Sequence, residues 1–223
     1  MVNEQAWSQL TEEFGKKNVA LVAVSKLKPV TDIWGLHLLG QRDFGENYVQ
    51  ELVEKQPQLP IDIRWHFIGH LQSNKVKSIA PFVYLIHAVD SIKLLKEINK
   101  QAEANKRIID VLLQLHIAEE ETKFGLDEVE LFRLLDEFVQ QPNAFVHVRI
   151  CGLMGMATFS ENPVQVRKEF HHLKEVFDEM KQTFFKEKPF FQTISMGMSG
   201  DYEIAIEEGS NMVRIGSLLF GSR

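Results

Sequence analysis

The sequence predicts an α/β protein, a single (β/α)8 TIM barrel with an extra N-terminal helix, and three observations carry the architecture. Eight strand-like runs alternate with runs of helical periodicity. The 223 residues show no second composition regime and no low-complexity linker. Amphipathic crossovers between apolar strands imply a parallel sheet covered on both faces. A doubly wound open sheet is the alternative, and eight units in so short a chain match the closed barrel better.

Taken in order, a helix precedes the first strand, 19–24, whose six residues from Val19 to Val24 carry no charge. The second strand, 42–45, is the thinnest, because Arg42-Asp43-Phe44-Gly45 is short and polar. Strands 63–68, 83–88 and 108–116 follow. Between the last two, Ile92, Leu95, Ile98 and Ala102 share one face of a helix over 91–104, with Asp90 and Ser91 as cap candidates. After strand 145–151, Asn162 and Pro163 open a helix over 163–184. Its Val166, Phe170, Leu173, Phe177, Met180 and Phe184 recur at spacings of three and four. Strand 191–195, a helical pattern from Tyr202 to Glu208, and strand 212–215 complete one domain spanning 1–223.

Composition bounds the function. Hydrophobic residues at 44% with 25% charged are ordinary for a folded soluble chain. A net charge of −6 and the lack of a long basic block argue against nucleic acid as a partner. Met1 to Trp7 lack the order of a signal peptide, and no apolar run approaches the roughly 20 residues that span a bilayer. The expectation is a cytoplasmic protein that does not bind membranes. The one cysteine, Cys151, fits a reducing compartment and reads as a buried structural thiol, since an apolar stretch follows it.

In a barrel the C-terminal strand ends form the functional rim, and phosphate commonly binds in the loops after strands seven and eight. Lys26 stands two residues beyond strand one, where a Schiff-base lysine would be held at the rim of a core. Strand two delivers Glu46-Asn47, strand three His66 to Gly69, strand seven Ser195 to Gly200, and strand eight Arg214 to Ser217. Ser199, Gly200 and Asp201 precede a helix, whose free amides would point into that loop. Gly216 and Ser217 add close backbone approach and a second hydroxyl. Either loop alone reads as a simple turn. Their joint location reads as a phosphate cradle.

Strand eight neighbours strand one in a closed barrel, so Arg214 should lie beside Lys26. An unperturbed lysine has a pKa of about 10.4, leaving roughly one amine in 2,500 neutral at pH 7. A nearby guanidinium and partial desolvation would raise that reactive fraction. Arginine donates and cannot accept, so against the ring nitrogen of a pyridine cofactor it would favour the unprotonated form and a poor electron sink.

The segments Ala23-Val24-Ser25-Lys26, Phe44-Gly45-Glu46-Asn47-Tyr48-Val49-Gln50-Glu51, Trp65-His66-Phe67-Ile68-Gly69-His70-Leu71-Gln72-Ser73-Asn74-Lys75, Gly152-Leu153-Met154, Ser195-Met196-Gly197-Met198-Ser199 and Met212-Val213-Arg214-Ile215-Gly216 closely resemble the pyridoxal phosphate homeostasis proteins, the YggS/PROSC family. The match runs in order over nearly the whole chain. The resemblance implies an alanine-racemase-like barrel with pyridoxal 5′-phosphate (PLP) held as an aldimine on Lys26. It also implies Ser199, Gly216 and Ser217 at the phosphate, Arg214 at the ring nitrogen, and Asn47 near the ring or its hydroxyl. Leu27, His116 and Ser217 depart from the family's usual threonine, asparagine and threonine. The serine keeps its hydroxyl.

The family is regarded as a carrier or regulator of cellular PLP, without an established enzyme activity. A racemase needs acid/base groups on both faces of the substrate carbon, and related racemases take the opposing tyrosine from an added domain. This chain stops at Gly221-Ser222-Arg223, just past strand eight. The expectation is therefore a PLP-holding monomer, serving PLP-dependent apoenzymes, with a slow amino-acid racemase as the alternative. A class I aldolase-like lyase using Lys26 without a cofactor fits the spacing too, and the resemblance disfavours it.

Other clusters carry less. His66 and His70 have metal-pair spacing only if helical, and they sit where a strand runs into a loop, so no metal is expected. His171-His172 reads as a helix surface with a core edge, Glu119-Glu120-Glu121 as a solvated acidic turn, and Tyr48 as packing at a helix start.

Overall fold

Eight apolar runs lie side by side in chain order and close into a ring, and the computed structural model describes residues 2–120 and 124–221 of the chain. The strands are β1 (Ala20–Val24), β2 (Asp43–Glu46), β3 (Arg64–Phe67), β4 (Leu85–Val89), β5 (Ile109–Gln114), β6 (Val148–Met154), β7 (Thr193–Met198) and β8 (Met212–Ile215). All neighbours are parallel, and β8 closes on β1 with Val22 opposite Arg214. The open-sheet alternative is excluded. Helix α1 (Glu4–Lys17) precedes the barrel, and α2 (Val30–Leu38), α3 (Val49–Lys55), α4 (Val76–Ile79), α5 (Ile92–Ala104), α6 (Glu128–Gln140), α7 (Pro163–Thr183), α8 (Tyr202–Glu207) and α9 (Ser217–Phe220) follow successive strands.

Side chains alternating along the strands sort into two apolar layers. Val111, Leu113, Val213 and Ile215 join a large cluster with helix residues such as Leu95, Leu135 and Phe170. Leu112, Cys151 and Met154 form a small separate cluster with Met212 packed against it, which is the lining of the barrel. The longest helix, α7, buries Val166, Phe170, Leu173, Phe177 and Met180 as its spacing predicts. Asn162 caps it by accepting from the Val164 amide, and Pro163 occupies the first turn. Helix α1 is fixed by Asn3, whose side chain accepts from the Ala6 amide and whose own amide donates to Leu219 O at 2.8 Å. That bond joins the start of the described chain to α9.

Two strands differ from the sequence expectation by three residues. Strand β6 spans 148–154 instead of 145–151, and β7 spans 193–198 instead of 191–195. Both extensions run through glycines that resemble turn residues in the sequence. Gly152 lies at φ +153°, where a Cβ would stand 1.8 Å from the Thr193 carbonyl oxygen on the adjacent strand. The residue is glycine because two backbones meet there, not because the chain turns. Gly152→Ala should therefore lower stability by about 2–3 kcal/mol in urea unfolding, since a backbone atom must yield. Among the described residues, no helix is long and apolar enough to cross a membrane.

Candidate functional site

At the C-terminal ends of β1, β7 and β8 a cavity of about 610 Å³ opens, lined by Lys26, Ser199, Gly200, Arg214, Gly216 and Ser217. The loop Ala157–Ser160 also borders it. The two expected phosphate loops are tied together, because Ser199 Oγ accepts from the Gly216 N–H at 3.2 Å. Gly197, at φ +95°, lets β7 approach α8, where a Cβ would come within 2.6 Å of Ala205. Asp201 does not cap α8; its carboxylate accepts from the Met198 amide at 2.5 Å and shapes the turn. Asn47 lies apart from this group. It lines a separate cleft with Tyr48, Phe67, His70 and Gln72.

Lys26 follows a residue locked in a buried ionic cluster. Ser25 is fully buried and donates its hydroxyl to Glu46 Oε1 at 2.6 Å. The Lys55 ammonium, 8% exposed, donates to Ser25 O at 2.8 Å, Glu46 Oε1 at 2.8 Å and Glu51 Oε1 at 2.6 Å. Glu51 also accepts from the Leu27 amide at 2.5 Å, on the far side of Lys26. Burial pushes the Glu46 carboxyl above the usual range, opposed by Lys55 and the Ser25 hydroxyl. Leu27 itself takes φ +60°, the left-handed region that a branched side chain seldom enters.

Arg214, 4% exposed, is held by three acceptors: Ser195 O at 2.8 Å and Ser195 Oγ at 2.6 Å from Nη1, and Gly155 O at 3.0 Å from Nη2. Burial lowers its pKa to about 10, which leaves it cationic at neutral pH. Ser195 was expected at the exit of strand seven and is instead buried within β7. It contacts His87 Nδ1 at 3.1 Å, His87 Nε2 contacts His66 Nδ1 at 2.9 Å, and His66 Nε2 contacts Asp43 Oδ1 at 2.9 Å. Arg64 completes the series by pairing with Asp43 through two bonds. His66, Ser195 and His87 are fully buried.

Desolvation, with His66 and Arg214 nearby, drives the His87 pKa well below the ordinary histidine value. The Asp43 carboxyl is lowered as well: burial raises it, but Arg64 and His66 together hold it down to about 2. A folded pKa below the unfolded value stabilises above about pH 4, and the contribution disappears as pH falls through 2. Native protein should thus lose about 2 kcal/mol between pH 5 and pH 2 that Asp43→Asn does not lose, read from urea midpoints at each pH.

The remaining candidates are dispersed. His70 pairs with Asp90 at 3.1 Å and stacks on Phe124, while His66 belongs to the barrel interior. Among the described residues no cluster of three or more His, Cys, Asp or Glu could hold a metal ion. Burial pushes the Cys151 thiol up to about 12, so it is protonated and inert as a nucleophile at neutral pH. His116 Nε2 lies 3.0 Å from Glu120 O. His171 contacts Glu208 and His172 contacts Glu128, both at the surface. Tyr48 is exposed at the start of α3. Of the acidic turn, Glu121 lies outside the described residues.

Sequence reasoning missed His87 and the Glu46–Lys55 pair. A signal was present for the histidine, the lone polar residue within Leu85-Ile86-His87-Ala88-Val89, because a polar group inside a fully buried strand requires a partner. Lys55 offered none, since a lysine in the last turn of an amphipathic helix reads as solvent-facing.

The barrel is closed and parallel, with a lysine leaving β1 and an arginine on β8, and the family model "Alanine racemase, N-terminal domain" matches residues 4–223, which puts the chain in the racemase-type barrel class. An alanine racemase from Streptomyces coelicolor shares the fold at a TM-score of 0.73 with 15% identity, all of this chain covering 59% of that one. Within that class, the pyridoxal phosphate homeostasis protein of Aquifex aeolicus is 41% identical over 210 residues, 94% of this chain and 89% of that protein. PipY of Synechococcus elongatus, solved without and with PLP, gives TM-scores of 0.89 and 0.86 at 32% and 31% identity, covering 97% of this chain and 99% of PipY. The chain belongs to the pyridoxal phosphate homeostasis protein family.

Proposed function

We propose that this chain binds pyridoxal 5′-phosphate and serves its intracellular homeostasis, with residues 1–223 acting as one cofactor-holding unit. The observation that carries the reading is the convergence of Lys26, Arg214, Ser199, Gly216 and Ser217 on one cavity. These groups fit the cofactor: an amine for its aldehyde, hydroxyls and glycine backbone for its phosphate, and a donor for its ring nitrogen. The relatives' names and the PLP-bound PipY structure support it. When bound, the cofactor supplies an aldehyde and an electron-withdrawing ring. Lys26 would hold the cofactor through its Nζ amine, the group that can bond to the aldehyde carbon with release of the carbonyl oxygen as water.

Asn47, which lines a separate cleft, would serve the neighbourhood of the ring or its hydroxyl. Among the described residues, the titratable groups lining the cavity besides Lys26 are Asp201 and Arg214, and Asp201 is engaged with the Met198 amide. That supports holding over racemisation, which needs a proton donor on the opposite face. We further read the protein as a cytoplasmic monomer that yields PLP to PLP-dependent apoenzymes.

Incubation with PLP followed by borohydride should fix one cofactor on the Lys26 peptide by mass spectrometry; labelling elsewhere, or none, sinks the proposal. Ser199→Ala with Ser217→Ala should weaken retention by about tenfold or more in equilibrium dialysis. Holoprotein incubated with single amino-acid enantiomers in deuterated water should show no rapid α-exchange. Rapid exchange would favour the racemase reading.

A further inference from the structure

The groups inside the barrel form a hydrogen-bond series whose direction is fixed at both ends. Arg214 has N–H groups and no acceptor, while an ionised Asp43 has acceptors and no donor. Asp43 therefore accepts from His66 Nε2–H, and His66 Nδ1, across from His87, is left to accept His87 Nε2–H. His87 Nδ1 then accepts the Ser195 hydroxyl hydrogen, and Ser195 Oγ is free to accept from Arg214 Nη1–H. Every hydrogen along the route finds an acceptor. The opposite direction fails on this count. If His87 carried its hydrogen on Nδ1, Ser195 Oγ would receive from both His87 and Arg214, and its hydroxyl hydrogen would have no acceptor among the described partners of that oxygen.

We propose that His87 and Ser195 are positioning residues for Arg214, and that the one-way series Arg214→Ser195→His87→His66→Asp43 fixes the guanidinium as a rigid donor at the cavity, making the site specific for ligands with an acceptor ring nitrogen. This rests on the PLP-binding reading above and goes beyond it by assigning the specificity to groups that do not reach the cavity. The geometry supports rigidity. Both Nη1 hydrogens and one Nη2 hydrogen are committed to Ser195 and Gly155, so rotation of the guanidinium would break three buried bonds. The far end is clamped by Asp43, which accepts from Arg64 as well as His66.

The direction can be read without any cofactor. In cofactor-free protein labelled with 15N-histidine, long-range proton–nitrogen correlation at neutral pH should show His87 and His66 in the Nε2–H form. A hydrogen on His87 Nδ1 overturns the proposal. The specificity is read from dissociation constants for PLP and for its carbocyclic analogue with CH at the ring-nitrogen position. Native protein should prefer PLP by about tenfold, a charge-assisted hydrogen bond's share. His87→Leu should cut that preference to about twofold, whereas His87→Asn, whose carbonyl oxygen can accept from Ser195, should restore most of it. A change that weakens both ligands equally in His87→Leu means a merely structural role and also overturns the proposal. Failure of native protein to bind either ligand would defeat the PLP reading alone, because the histidine hydrogens are measured apart from it.

Discussion

Lys26→Ala should abolish the borohydride-stable link to PLP completely and remove the visible Schiff-base absorption band. The loss is total because, in the proposed function, one covalent bond depends on one amine at the cavity. The noncovalent contacts from Ser199, Arg214, Gly216 and Ser217 are untouched by the substitution, so weak, phosphate-dependent binding should persist. Competition by inorganic phosphate in equilibrium dialysis checks this. If Lys26→Ala retained a reducible link, another lysine would be the anchor, and the assignment of the strand-one exit would be wrong.

Lys55→Met should cost about 3–5 kcal/mol in urea unfolding, the cost of stranding a buried charge. The Lys55 ammonium is bonded to two carboxylates and a carbonyl, and the Glu46 side chain is fully buried. Its pH dependence has a diagnostic sign. Burial already raises Glu46, and removal of the cation raises it further. A carboxyl whose folded pKa exceeds its unfolded value favours the folded state at low pH, and that contribution disappears as pH rises through the folded pKa. Lys55→Met should therefore regain part of its loss on mild acidification. Adding Glu46→Gln should regain part of it at neutral pH, since the stranded charge is gone. A loss under 1 kcal/mol would mean that the cluster is hydrated in solution.

The barrel was legible because its burial pattern is local. Six uncharged residues from Val19 to Val24 and the three-and-four spacing of α7 each require an apolar environment regardless of topology. The rim was legible for the same reason that it works: in chain order, strand exits at Lys26, Ser199 and Gly216 must converge once the barrel closes. Asn47 came from a motif rather than from convergence, and the structure places it in a separate cleft. What stayed hidden was polar chemistry inside the barrel. The ends of β6 and β7 were misplaced because glycine at a close backbone approach and glycine at a turn are the same letter. Asp43 made β2 the thinnest of the eight expected strands, although its charge is answered by Arg64 and His66 from β3. A linear reading supplies no partner across strands, so such residues look like exceptions.

The backbone at Leu27 has a further consequence for the lysine beside it. Leucine reaches φ +60° only against the strain of the left-handed region, so the bond from its amide to Glu51 is what holds it there. With Ser25 fixed on one side and Leu27 on the other, the peptide carrying Lys26 has little freedom to lose. The ordering entropy of the anchor is therefore met when the chain folds rather than when a ligand arrives. A preorganised anchor makes capture and surrender of a cargo a matter of chemistry at Nζ, with no loop to reorder in either direction.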